Sequence, residues 1–132
     1  MNMSVGLLII SHDGIGPVML GTALYMLGGS ALKTRLLTAS RDSDPDELCA
    51  AAREQMKSLD DGDGILVIAD LYGSTPSNIA QKLAAHGNIR AITGLNLSML
   101  VRILNYPQLD LVQLTEKAIS GGKDGIALLE NT

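Results

Sequence analysis

Two uncharged aliphatic runs constrain this chain more than anything else in it. Val5-Gly6-Leu7-Leu8-Ile9-Ile10 and Ile65-Leu66-Val67-Ile68-Ala69 carry no polar side chain, and each ends abruptly on polar, glycine-containing sequence. A strand with one face in water alternates apolar and polar residues, so runs that are apolar on both faces belong in the middle of a parallel sheet covered on both sides. The first run delivers Ser11-His12-Asp13-Gly14 to a loop, and the second delivers Asp70-Leu71-Tyr72-Gly73. Reactive groups in open parallel sheets collect beyond the carboxyl ends of the strands, which makes His12 and Asp70 the first candidates for chemistry.

The segments between these runs read as helices and shorter strands. Pro17 suits the first turn of a helix that follows the Gly14-Ile15-Gly16 loop, runs to Leu27 and stops at Gly28-Gly29. Leu20, Ala23, Leu24 and Leu27 form one apolar stripe, while Met19, Tyr25 and Met26 leave the rest of that helix poorly charged. Such a surface asks for cover on more than one side, from its own sheet and from a partner chain. A second strand falls within Lys33 to Ser40, and Asp44-Pro45-Asp46-Glu47 caps a helix reaching about Leu59. Thr75-Pro76 reads as the cap and first turn of a helix to Ala85 or His86, Ile89 to Thr93 as a fourth strand, and Ser98 to Leu104 as a helix closed before Pro107. Leu109 to Leu114 alternates apolar and polar residues, which predicts an edge strand, with a last helix around the Ser120-Gly121-Gly122 break. This order predicts an α/β fold, doubly wound, with a mostly parallel sheet and helices on both faces, as one domain over residues 1–132.

Composition removes several function classes. Fourteen acidic against ten basic residues leave a net charge of -4, which invites neither nucleic acid nor anionic lipid. Three Tyr and no Phe or Trp make no stacking platform for single strands. Residues 14 to 32 carry no charged side chain, yet five glycines and Pro17 fit a buried helix after a loop better than a membrane span. Cys49 is the only cysteine and sits in a helical apolar stretch, so it reads as packing in a reducing cytoplasm. With only His12 and His86 available, no metal site is expected. No nucleotide cofactor is expected either: a Walker loop is absent around Gly122-Lys123, and Met19 stands where the dinucleotide fingerprint needs its third glycine.

Right-handed crossovers would bring the ends of the first and third strands to one edge of the sheet. A carboxylate there, accepting from Nδ1-H of His12, would fix the tautomer and leave Nε2 as the nucleophile. The N-terminus of the Thr75-Pro76 helix would add backbone donors and a favourable dipole, with Gly73, Ser74 and Thr75 as phosphate-binding candidates. Together these parts suit a phosphoryl group that arrives on His12 and leaves again. A receiver-like module phosphorylated on Asp70, with Thr93 and Lys117 in support, is the alternative within phosphotransfer. It is weakened by His12-Asp13 standing where a pair of acids belongs.

Four pieces in register resemble the mannose-family IIA domains of the bacterial phosphoenolpyruvate-dependent sugar phosphotransferase system. They are Ile9-Ile10-Ser11-His12, Asp70 through Asn78, Gly94-Leu95-Asn96-Leu97-Ser98-Met99-Leu100 and Gly121-Gly122-Lys123-Asp124-Gly125. The resemblance implies that His12 takes phosphate from the carrier protein HPr and passes it to a separate IIB protein for sugar uptake. It implies that Asp70 orients the imidazole and that Thr75 supplies a hydroxyl near the phosphoryl group. It further implies a homodimer formed through a C-terminal edge strand, a role suited to Leu109 to Leu114, and it lets the poorly charged first helix help dock HPr. Tyr72 replaces the family's usual Trp, Ser74 a common second glycine and Ser98 a proline. A regulatory module that binds partners according to its phosphorylation would use the same His12 chemistry.

Overall fold

Buried, unbroken β-formers at the centre of the sequence become the centre of the sheet. In the computed structural model, which describes residues 4–131, the strands are β1 (Gly6–His12), β2 (Thr34–Ala39), β3 (Ile65–Ala69) and β4 (Ile89–Thr93). They pair in the order β2-β1-β3-β4, and every pairing is parallel. Leu7 through Ile10 of β1 and all of β3 are buried, as apolar residues on both faces require. In a parallel sheet all carboxyl ends share one edge, and here β2 lies on one side of β1 while β3 and β4 lie on the other. The crevice between β1 and β3 is therefore the point where the winding reverses, the usual ligand site of such folds.

The helices are α1 (Ile15–Leu27), α2 (Pro45–Leu59), α3 (Thr75–Ala84), α4 (Leu97–Leu104) and α5 (Leu111–Asp124). Alternate strand residues feed two separate cores. Leu7, Ile9, Leu66 and Ile68 pack with Ala23 of α1, Leu100 and Ile103 of α4 and Leu114 and Ala118 of α5. Leu8, Ile10, Ile65 and Val67 pack with Ala52 and Leu59 of α2 and Ile79 and Leu83 of α3. Helices thus cover both faces, and the doubly wound α/β architecture expected from the sequence is present. Local chemistry sets the helix starts. Asp44 accepts from the Asp46 amide (3.2 Å) ahead of Pro45, and Asn96 accepts from the Met99 amide (2.8 Å), which starts α4 one residue before the expected Ser98. Only Gly16 and Ala23 of α1 are buried, while Val18, Tyr25 and Met26 face outward.

The expected edge strand over Leu109 to Leu114 does not form. Asp110 accepts from the Gln113 amide (2.8 Å), and Gln113 accepts in return from the Asp110 amide (3.3 Å), a capping box that starts α5 at Leu111. Leu111, Leu114 and Ala118 then recur at helical spacing and are buried, so the apparent alternation was a short sample of a 3.6-residue period. Gly121-Gly122 does not break this helix either, because both glycines lie inside it and are buried. A Cβ on Gly121 would stand 2.6 Å from Cβ of Arg102, so the glycine lets α5 approach α4 closely. Exposed apolar residues lie instead in the irregular tail Ile126-Ala127-Leu128-Leu129, which follows α5 and joins no strand among the described residues.

That close approach decides the sign of one substitution. Gly121→Ala should gain about 1 kcal/mol of helix propensity but lose more to overpacking against Arg102, roughly 1–3 kcal/mol. We expect a lower urea midpoint. A higher one would mean that α5 does not pack on α4 at Gly121.

Candidate functional site

His12 is the last residue of β1, and Asp70 is the first residue after β3. The parallel register sets Ile10 opposite Ala69, so the two chain ends emerge side by side. Asp70 Oδ2 accepts the backbone N-H of His12 at 2.9 Å and lies 2.8 Å from its Nδ1. A carboxylate can only accept, so the proton of a neutral ring resides on Nδ1 and the lone pair on Nε2. The Asp70 side chain is 6% exposed and the His12 side chain 45%: the acid is buried and the ring it holds is open to solvent. The other carboxylate oxygen, Oδ1, is buried with no partner among the described residues. Leaving it so costs about 1–3 kcal/mol, a cost that falls on the residue that fixes His12.

The connection from Asp70 to α3 is short and specific. Gly73 has φ 79°, a left-handed conformation that a side chain would strain. Ser74, not Thr75, is the N-cap of α3, and Ser77 Oγ accepts the Ser74 amide (3.0 Å), which closes the first turn from within. The Ser74 hydroxyl donates to the Leu71 carbonyl, so its proton is already engaged. Pro76 lacks an amide hydrogen. Thr75 heads the helix with an exposed side chain and an amide that has no intrahelical acceptor. Of the three sequence-expected phosphate ligands, Thr75 thus offers both a hydroxyl and an amide, Gly73 only backbone, and Ser74 an occupied hydroxyl.

A cavity of about 440 Å³ opens beside this turn, bounded by Tyr72, Gly73, Ser77 and Gln81 and by Ala91 and Thr93 of β4. His12 and Asp70 do not line it, and it faces the open edge of β4. An apolar groove formed by Ile15, Val18, Met19 and Leu97 lies along the first turns of α1, next to Gly14. Among the described residues no three His, Cys, Asp or Glu side chains gather as a metal site, and no helix is long and apolar enough to cross a membrane. Cys49 is buried in the α2 side of the core. The sequence reading did not single out Ser77 or Ser11 as parts of this edge; a Ser at the third helical position after a cap was the signal for the first.

Similarity to known proteins agrees with this geometry. Residues 6–118 match the EIIA-man family, described as the PTS system fructose IIA component. The mannose/sorbose-specific IIA subunit of the phosphotransferase system from Enterococcus faecalis superposes with a TM-score of 0.84 at 22% identity, covering 98% of each chain. The phosphotransferase system component EIIA from Streptococcus agalactiae gives 0.81 at 23% identity, over 93% of this chain and 95% of that one. A sigma-54 interaction domain protein from Enterococcus faecalis gives 0.79 at 18% identity, over 95% of both chains. The doubly wound sheet, the paired His12 and Asp70 and a match over most of the length have one reading: this chain belongs to the EIIA-man family of sugar phosphotransferase system components.

Proposed function

We propose that this chain is a phosphoryl carrier that uses His12 Nε2, receiving phosphate from phospho-HPr and handing it to a separate IIB protein during sugar uptake. The observation that carries this reading is the Asp70 Oδ2 to His12 Nδ1 bond of 2.8 Å on a half-open imidazole. In the first step the Nε2 lone pair attacks phosphorus in line. The new P-N bond forms as the donor's P-N bond breaks, and that electron pair returns to the donor imidazole. Positive charge gathers on the His12 ring, where Asp70 is already placed to balance it. The second step reverses these roles toward the acceptor. The Thr75 hydroxyl and the Gly73 and Thr75 amides are the groups we assign to the phosphoryl oxygens, aided by the α3 dipole. The apolar groove beside Gly14 is the surface we assign to the donor, and the whole reaction needs no metal or cofactor. Cytoplasmic location follows from these partners.

Two alternatives have different supports. Phosphorylation of Asp70 itself is disfavoured, because its Oδ2 already holds two bonds to His12 and its side chain is 6% exposed. A regulatory role for the same phosphohistidine is favoured by the likeness to a sigma-54 interaction domain protein. We also propose a homodimer, with the Ile126–Leu129 tail in place of the Leu109–Leu114 segment as the pairing strand. In support, Ile126, Leu128 and Leu129 are exposed and the outer edge of β4 is open.

Incubation with phosphoenolpyruvate, enzyme I and HPr should add one phosphate that is acid-labile and base-stable and is lost in His12→Ala. A base-labile phosphate, or label that persists without His12, would refute the carrier role. Capture of a IIB protein by the phosphorylated form supports transport, whereas capture of a transcription regulator supports the second role. Truncation after Gly125 should convert a dimer to a monomer in sedimentation velocity without unfolding it. An unchanged dimer would exclude the tail.

A further inference from the structure

Resting on the carrier reading, we infer that Ser11 is a positioning residue for His12, acting through a hydroxyl clamp between the end of β1 and the start of α1. Ser11 and His12 are neighbours on one strand, so their side chains leave on opposite faces. The Ser11 side chain enters the α1 side of the molecule, where it is 1% exposed. Its Oγ accepts the Gly16 amide at 2.9 Å and donates to the His12 carbonyl at 3.0 Å.

Both bonds matter for the loop that carries the imidazole. The cap residue of α1 is Gly14, which has φ 81° and offers no side chain to the helix's first amides. Ser11 supplies that missing acceptor from the strand, in the manner of an N-cap serine placed three residues early. The fit is tight, since a Cβ on Gly16 would lie 2.6 Å from Ser11 Oγ. His12 is consequently held from both sides of its own backbone. Asp70 takes its N-H and Nδ1, and Ser11 takes its C=O. Without the hydroxyl, the Gly16 amide is left buried and unpaired, and the carbonyl side of His12 is released. Asp70 then holds a ring whose root can shift, and near-attack geometry tolerates little of that.

Thr and Val have nearly the same shape and differ by the hydroxyl, so Ser11→Thr and Ser11→Val separate the clamp from packing. At saturating phospho-HPr we expect Ser11→Thr to transfer at close to the parental rate and Ser11→Val roughly five- to tenfold more slowly, the scale of one or two hydrogen bonds. KM for the donor should be the same in both. Without any donor, the His12 Nδ1-H proton signal should be sharp in Ser11→Thr and broadened by exchange in Ser11→Val. This second readout is independent of phosphotransfer, so it distinguishes a failed clamp from a failed carrier reading. Equal rates and equal Nδ1-H signals in the two variants, whether both normal or both impaired, would overturn the inference. If Ser11→Val does not fold, Ser11→Ala takes its place in the same comparison.

Discussion

One carboxylate oxygen organises this protein. Asp70 Oδ2 receives both the backbone amide and the Nδ1 edge of His12, at 2.9 and 2.8 Å, so it ties the ends of two strands together and sets the imidazole's tautomer with the same atom. A mobile histidine at a loop start would sample both tautomers and many rotamers. Here the ring keeps one nitrogen inward and leaves the other side exposed. That division suits the proposed carrier role, which needs a nucleophile that is exposed and a counter-charge that is not.

The fold makes this bond possible at small local cost. Because β1 and β3 are adjacent and parallel, with Ile10 paired to Ala69, His12 at the end of β1 and Asp70 just past β3 reach the same edge of the sheet. The reversal of winding between them sends α1 and α3 to opposite faces and leaves the crevice uncovered. Glycines then allow what side chains would block. Gly14 and Gly73 take left-handed turns beside the site, and Gly16 comes close enough to Ser11 to be hydrogen-bonded by it. The edge is therefore hydrogen-bonded at His12 and open around it.

Much of this was legible in the sequence, for a physical reason. Strands buried on both faces cannot conceal their identity, and a polar residue that terminates one is conspicuous, so His12, Asp70 and the doubly wound sheet could be read directly. Leu109 to Leu114 misled because six residues are too few to separate a period of two from one of 3.6 when a capping pair, Asp110 and Gln113, goes unnoticed. Gly121-Gly122 misled because a glycine that permits close packing looks the same in sequence as one that ends a helix. Ser11 was not singled out because its contribution runs through the backbone carbonyl of His12, which has no sequence signature. The engagement of the Ser74 hydroxyl by Leu71 was invisible for a similar reason: short-range bonds to the main chain depend on the turn actually formed.

In the proposed mechanism Asp70 directs phosphate to one nitrogen of one ring. Nitrogen-15 spectra of His12, recorded in the free protein and after phosphorylation, test it most directly. We expect a proton on Nδ1 in the free neutral ring and phosphorus bonded to Nε2 afterwards, with the Nδ1-H signal retained. Phosphorus on Nδ1, or a free ring protonated chiefly on Nε2, would contradict it.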